Sequence, residues 1–223
     1  MSFTGFTHDG LDLLKRLPEL DRDGFQAAAD TYRSGIVEPS KALVDALGPE
    51  LRVHISEGIQ FGARTNQSIA PINNDRRFNP SASPYKDHLL LRFWEGPNNR
   101  SGSVLFVRIT PDELGFAVGM SFTAQQLAAY RERVETDGDR LAAALKWLVR
   151  HRGADVVGSA LKRVPAPYAD DHPHADLLRR KSLQVRWRVD PGDAITGRRL
   201  MTLSRDQLRR GAGVHQWLVE HLT

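Results

Sequence analysis

The sequence predicts an α+β fold, a mostly antiparallel sheet packed by helices within a single domain spanning residues 1–223. The first observation is the order of patterns. Helical spacing comes first, then a group of neighbouring alternating stretches, then one long helical stretch, then a strand and short helices. That order lacks the regular strand–helix alternation of a doubly wound sheet. The second is the absence of any composition break, repeat or low-complexity tract to divide the chain. The third is size. With 223 residues, 40% of them hydrophobic, the chain can build a sizeable core.

Thr7 to Leu17 reads as a helix, with Thr7 as its cap, Asp9 near its start, Lys15 and Arg16 near its end, and Pro18 closing it. From Asp23 to about Leu47, Phe25, Ala28, Ala29, Tyr32, Ile36 and Val37 recur at spacings of three and four. Gly35 and Pro39 predict a kink there, and Gly48–Pro49 a stop. Residues 51–55 alternate like a strand. Further strands are expected at His88–Trp94, Ser103–Ile109 and Leu114–Met120, the first two antiparallel across a turn-rich link. Thr123 and Gln126 form a capping box opening the longest helix, to Arg152, with a break at Asp137–Gly138–Asp139. A short strand at Val156–Val164, a helix at His174–Lys181, a strand at Leu183–Val189 and helices near Ser204–Arg210 and Val214–Leu222 complete the reading.

Composition narrows the function classes. There are no cysteines, so disulfide frameworks and thiolate chemistry are excluded. No apolar run approaches the roughly 20 residues that span a bilayer, and the first residues carry no basic-then-apolar leader. A cytoplasmic protein with no membrane partner is expected. The net charge is +4, and Arg outnumbers Lys 25 to 6. With many Ala and Gly residues, this fits a GC-rich coding bias, so the charge is a weak argument for nucleic acid. Phosphate-binding loops, dinucleotide glycine triples, nucleophile elbows and zinc-protease His pairs are all missing. No cofactor and no metal are expected.

Two stretches concentrate chemistry. In residues 74–86, Asp75 and Arg77 would share one face of an extended segment, with Arg76 on the other and Phe78 free to anchor the segment. A guanidinium fork suits phosphate or carboxylate, and Lys86 offers a point charge. The competing reading is an ordered loop whose Asp and Arg groups pair with one another. The second stretch runs from Lys162 and Arg163 through Tyr168 to Asp170, Asp171, His172, His174 and Asp176. Its carboxylates and histidines lie on a proline-broken loop entering a helix, where capping competes with ligation. Gly115 and Gly119 read as structural glycines of a strand. Arg186 and Arg188 make one basic face of a half-buried strand, suited to nucleic acid or to water.

Asp75-x-Arg77-Phe78, Pro84-Tyr85-Lys86, Leu161-Lys162-Arg163, Pro167-Tyr168, His172-Pro173 and the run from Leu177 to Ser182 together resemble the domain of unknown function 2461 family. Phe3-x-Gly5-Phe6 and the spacing from Tyr32 to Pro39 fit it as well. The resemblance covers about residues 3–190, leaving 191–223 as a helical extension. It implies a soluble α+β domain, typically of cytoplasmic bacterial proteins, and transfers no activity. It raises the weight of Asp75, Arg77, Tyr85 and Lys86 in one stretch and of Lys162, Arg163, Tyr168, His172 and Lys181 in the other. One departure stands out: the family's first Arg is Asn74 here.

The expected function is binding of a small anionic ligand, bearing phosphate or carboxylate, in a charged cleft. Arg77, Lys86, Lys162, Arg163 and Lys181 would supply charge, Tyr85 and Tyr168 the walls, and Asp75 or His172 any acid or base. The alternatives are a nucleic-acid or protein interaction module using Arg186 and Arg188, or a scaffold whose charged motifs are structural. The anion reading requires the two stretches to converge on one concave pocket.

Overall fold

The computed structural model describes residues 2–77 and 79–223. The expected α+β architecture is present. Helix α1 spans His8–Arg16. Thr7 caps it, its hydroxyl accepting from the Gly10 N–H at 3.0 Å, and Leu11, Leu13 and Leu14 point inward. Short helices α2 (Arg22–Ala27) and α3 (Ala29–Tyr32) follow, then a π-helical turn over Arg33–Val37. That turn is the predicted interruption, and Pro39 falls in the first turn of the next helix, where its missing N–H is harmless.

Helix α4 spans Glu38–His54 and runs straight through Gly48 and Pro49. Two expectations fail here, the stop at Gly48–Pro49 and the strand over residues 51–55. The stripe of Leu43, Leu47 and Leu51 is fully buried at a spacing of four. Its burial outweighs the roughly 3 kcal/mol penalty of an interior proline. Val53, inward on the strand reading, is instead 78% exposed, as a helical period requires.

The sheet contains β1 (Leu89–Glu95), β2 (Ser103–Ile109), β3 (Leu114–Ser121), β4 (Asp155–Val157) and β5 (Ser182–Val189). Its order is β1-β2-β3-β5-β4, and every pairing is antiparallel. Helix α5 (Ala124–Arg152) bears both predicted features. The Thr123–Gln126 capping box is formed, and Asp137 leaves helical geometry at φ −139° and ψ 25°. The kink is held from outside, where the Trp217 indole donates to the Asp137 carbonyl at 3.0 Å. Strand β4 is shorter than expected because Gly158, at φ +124°, turns the chain and the next N–H, of Ser159, goes to the Ser182 hydroxyl at 2.9 Å. Helix α6 is only Ala175–Leu178, while α7 (Arg199–Arg210) starts earlier than its pattern suggested, and α8 (Ala212–Leu222) ends the fold.

One sheet face is the core. Leu91, Phe93, Leu105, Val107, Phe116, Val118, Val185 and Trp187 point into it, at 2% exposure or less. Helices α7 and α8 lie against β2 and β3, α4 packs on α7, and α5 on α8. The Trp187 indole, deep in this layer, donates to Gln207 of α7 at 3.1 Å. Among the described residues, the main helix contacts to the central strands β2 and β3 come from α7 and α8 on the core face, while α5 contacts β4 and β5. Among the described residues, no helix is long and apolar enough to cross a membrane.

Candidate functional site

The register defines the uncovered face. Side chains alternate across a strand, so the residues between the core positions form rows on the other side. One row reads Leu90, Arg108, Gly115, Arg188. The next reads Arg92, Phe106, Ala117, Arg186, Asp155. The third reads Trp94, Val104, Gly119, Gln184, Val157. The middle strand thus contributes Gly115, Ala117 and Gly119, a low floor between taller neighbours. At Gly119 the adjoining strand approaches so closely that a Cβ would lie 2.3 Å from the Leu183 carbonyl oxygen.

Two depressions occupy this face. One, of about 490 Å³, has Arg108, Glu113, Arg186 and Arg188 around it. Its cations are partly neutralised. Glu113 lies 3.5 Å from Arg108 and 3.3 Å from Arg188, and Asp155 lies 3.6 Å from Arg186. The other, of about 400 Å³, is lined by Arg92 and Arg100 with the polar groups of Asn99, Ser121, Ser182 and Gln184, and among the described residues no carboxylate lines it. Burial, and then the charge of nearby Arg100, push the Arg92 guanidinium below its ordinary pKa, and its buried Nε has no hydrogen-bond partner. A guanidinium stays charged at any physiological pH, so Arg92 and Arg100 carry like charges into one depression. Arg100 sits on the β1–β2 link, which is fastened by Asn99 Nδ2 donating to the Asn66 and Gln67 carbonyls at 3.1 and 3.2 Å.

The two charged stretches singled out from the sequence lie elsewhere, whereas Arg186 and Arg188 line the larger depression. The first stretch flanks the β1 edge, where residues 69 and 91 pair as an isolated bridge and 73 pairs with 85. The second flanks the β4–β5 edge, with Lys181 N–H donating to the Ser159 carbonyl at 2.7 Å. These are opposite edges of a five-stranded sheet, about 19 Å apart at a strand spacing of about 4.8 Å. None of Asp75, Arg77, Tyr85, Lys86, Lys162, Arg163, Tyr168, His172 and Lys181 lines either depression.

Their local roles are clear. Arg77 forks onto Asp75, Nε to Oδ1 at 2.9 Å and Nη2 to Oδ2 at 2.6 Å, which holds the Asp75 carboxyl down at about pKa 2. The predicted shared face of Asp75 and Arg77 is therefore used for their own pair. The Phe78 expectation lies outside the described residues. Asn74, standing where the family pattern has Arg, clamps the loop by donating to the Ser83 and Tyr85 carbonyls at 2.9 and 3.0 Å. Tyr85 is buried and stacked on Phe25 with ring centres 4.5 Å apart. Lys86 donates to the carbonyls of Pro71 and Asn73, and burial, then Arg92, push its ammonium pKa down. Lys162, Arg163 and Lys181 are exposed. Tyr168 rests near α5, its phenol pushed up by burial and by Glu135 and Glu132. His172 accepts the His174 N–H on Nδ1 at 3.0 Å, and its Nε2 lies 3.4 Å from Glu135. Among the described residues, no three His, Asp or Glu side chains converge as a metal site would require.

Sequence reasoning passed over two groups. Arg92 carried a signal, a cation at period two within an apolar strand, which places it opposite the core. The second group joins Ser103, His215 and Glu95. The Ser103 hydroxyl is 2.9 Å from His215 Nδ1, and His215 Nε2 is 3.0 Å from Glu95 Oε2. These are the residue types of a serine-hydrolase relay. Ser103 and His215 are completely buried, however, and neither lines a depression. The group fastens α8 to the sheet and offers no reachable nucleophile.

No match was found among curated proteins or among solved structures. The family model described as a conserved hypothetical protein, DUF2461, matches residues 11–217. The match extends beyond the motif-bearing stretches to include α7 and the first half of α8, whose Leu208 and Trp217 are buried in the common core. This chain of 223 residues belongs to the DUF2461 family.

Proposed function

We propose that the protein binds a small anionic ligand, bearing phosphate or carboxylate, in the depression between Arg92 and Arg100. One observation carries the reading: two guanidinium groups share a concave site that, among the described residues, no carboxylate lines. An anion would relieve their repulsion and accept from both, and charge-assisted hydrogen bonds of this kind are the strong ones. The Ser121 and Ser182 hydroxyls and the Gln184 amide complete a polar wall. The Arg186–Arg188 strand supports an extended polyanion less well, because Asp155 and Glu113 already partner its cations.

The test is a thermal-shift series with inorganic phosphate, citrate and sugar phosphates, on the wild type and on Arg92→Gln/Arg100→Gln. A ligand present at about 100 times its dissociation constant adds roughly 2.7 kcal/mol, a rise of several degrees. The expected result is a rise in the wild type that is absent in the double variant. An equal rise in both proteins, or none with any anion, overturns the reading.

A further inference from the structure

Building on the anion site proposed above, we infer that the ligand is a nucleoside phosphate whose base stacks on Phe106. The two depressions are not independent. Phe106 and Gln184 line both, so they meet at these two side chains. The phosphate end is set by Arg92 and Arg100. What lies beside it is an aromatic ring on an open sheet face.

Phe106 is half-buried on the uncovered side, between Arg92 on one neighbouring strand and Ala117 on the other. Directly opposed residues in an antiparallel pair have Cβ atoms about 5 Å apart. The anion-binding cation and the ring are therefore first neighbours, a separation that a single sugar spans. The far side of the ring is low ground, since Gly115, Ala117 and Gly119 carry at most a methyl group. A flat base can lie over that floor against the ring, as bases lie on exposed sheet aromatics in single-strand binders. Gln184, at the junction, offers an amide donor and acceptor for a base edge. On the other side of the Phe106 row from Gln184, Glu113 is the one carboxylate among the described residues lining the larger depression, and it can accept from an exocyclic amine. A sugar phosphate or simple carboxylate would use Arg92 and Arg100 and leave the ring and the larger depression idle.

The experiment is isothermal titration calorimetry on the full chain. The probes are inorganic phosphate, ribose 5-phosphate, and the 5′-monophosphates of adenosine, guanosine, cytidine and uridine. The proteins are the wild type, Arg92→Gln and Phe106→Leu, with circular dichroism confirming that each is folded. Stacking on one aromatic is commonly worth about tenfold or more in affinity. At least one nucleotide should bind the wild type at least about tenfold more tightly than ribose 5-phosphate, and Phe106→Leu should reduce that ratio to about one. Arg92→Gln should weaken ribose 5-phosphate and nucleotide together. Nucleotides that bind no tighter than ribose 5-phosphate, or a ratio that survives Phe106→Leu, would overturn the inference while leaving the anion site standing. Failure of every phosphorylated probe to bind would overturn the inference and, with it, the phosphate reading of the anion site.

Discussion

The imidazole of His215 meets the carboxylate of Glu95 at 3.0 Å, where α8 crosses the end of the β1–β2 pair. The Glu95 side chain is 16% exposed and its partner is not exposed at all. The hydrogen bond from His215, with a smaller contribution from Ser56, holds the Glu95 carboxyl below its ordinary range despite burial. A depressed carboxyl contributes stability above its unfolded pKa and loses that contribution as pH falls through the folded value. Glu95→Gln should therefore be less stable at pH 7, by about 1.5–3 kcal/mol for a hydrogen bond to a charged group. The gap to wild type should narrow as the pH falls below about 4. Urea unfolding at stepped pH measures this, and a gap that stays constant down to pH 3 would contradict it.

Tyr85 separates two roles. The family pattern suggested a pocket wall, whereas the ring is 7% exposed and stacks on Phe25 with the planes 18° apart. Phe25 in turn packs on Tyr32 at 5.1 Å. Truncating the buried end of this aromatic row leaves a cavity under Phe25, and Tyr85→Ala should lower stability by about 3–5 kcal/mol, as for other large-to-small core changes. Tyr85→Leu should recover part of the loss. Chemical denaturation reads both, and a variant as stable as wild type but impaired in ligand binding would restore the wall role.

Much of the fold was legible because local and tertiary preferences agree. The Thr7 and Thr123 caps, the Asp137 kink and the alternation of β1, β2, β3 and β5 all follow from short-range patterns that the core reinforces. Pro49 misled because its local penalty is outweighed by leucines whose burial depends on distant helices. The candidate site was legible only in part. Charge clusters in sequence draw attention, yet adjacent Asp and Arg groups neutralise each other, as Asp75 and Arg77 do. Arg92 and Arg100 are eight positions apart, and only the β1–β2 turn brings them to one depression. The proposed site rests on the lack, among the described residues, of a carboxylate lining the depression they share, which no local pattern encodes.

The Asp75–Arg77 pair has a direct titration test. Both side chains are mainly exposed, at 52% and 80%. The carboxyl sits near pKa 2 chiefly because Arg77 donates to it from its side chain and then from its backbone. Arg77→Ala keeps the backbone donor and removes the larger cause. The Asp75 side chain, followed by NMR across pH, should then titrate closer to the ordinary carboxylate value of about 3.9. An unchanged midpoint near 2 would mean that the fork is not what holds the proton off.

Gln126 links the longest helix to the loop that carries Arg100. Its Oε1 accepts the Thr123 N–H at 3.0 Å, while its Nε2 donates to the Ser101 carbonyl at 2.9 Å and to Leu222 at 3.1 Å. Ser101 is adjacent to Arg100, so this amide helps fix where one of the two guanidinium groups stands. Thr123→Ala removes only the reciprocal cap, at about 1 kcal/mol. Gln126→Ala removes its half of the capping box, the loop bond to Ser101 and the bond to Leu222 of α8, and should cost about 1.5–4.5 kcal/mol at 0.5–1.5 kcal/mol for each net hydrogen bond. The two variants should diverge in binding. Phosphate affinity should fall for Gln126→Ala and hold for Thr123→Ala, because only the first frees the loop. Calorimetric titration with phosphate beside urea unfolding makes the comparison, and a loss of affinity that merely tracks stability in both variants would refute the anchoring role.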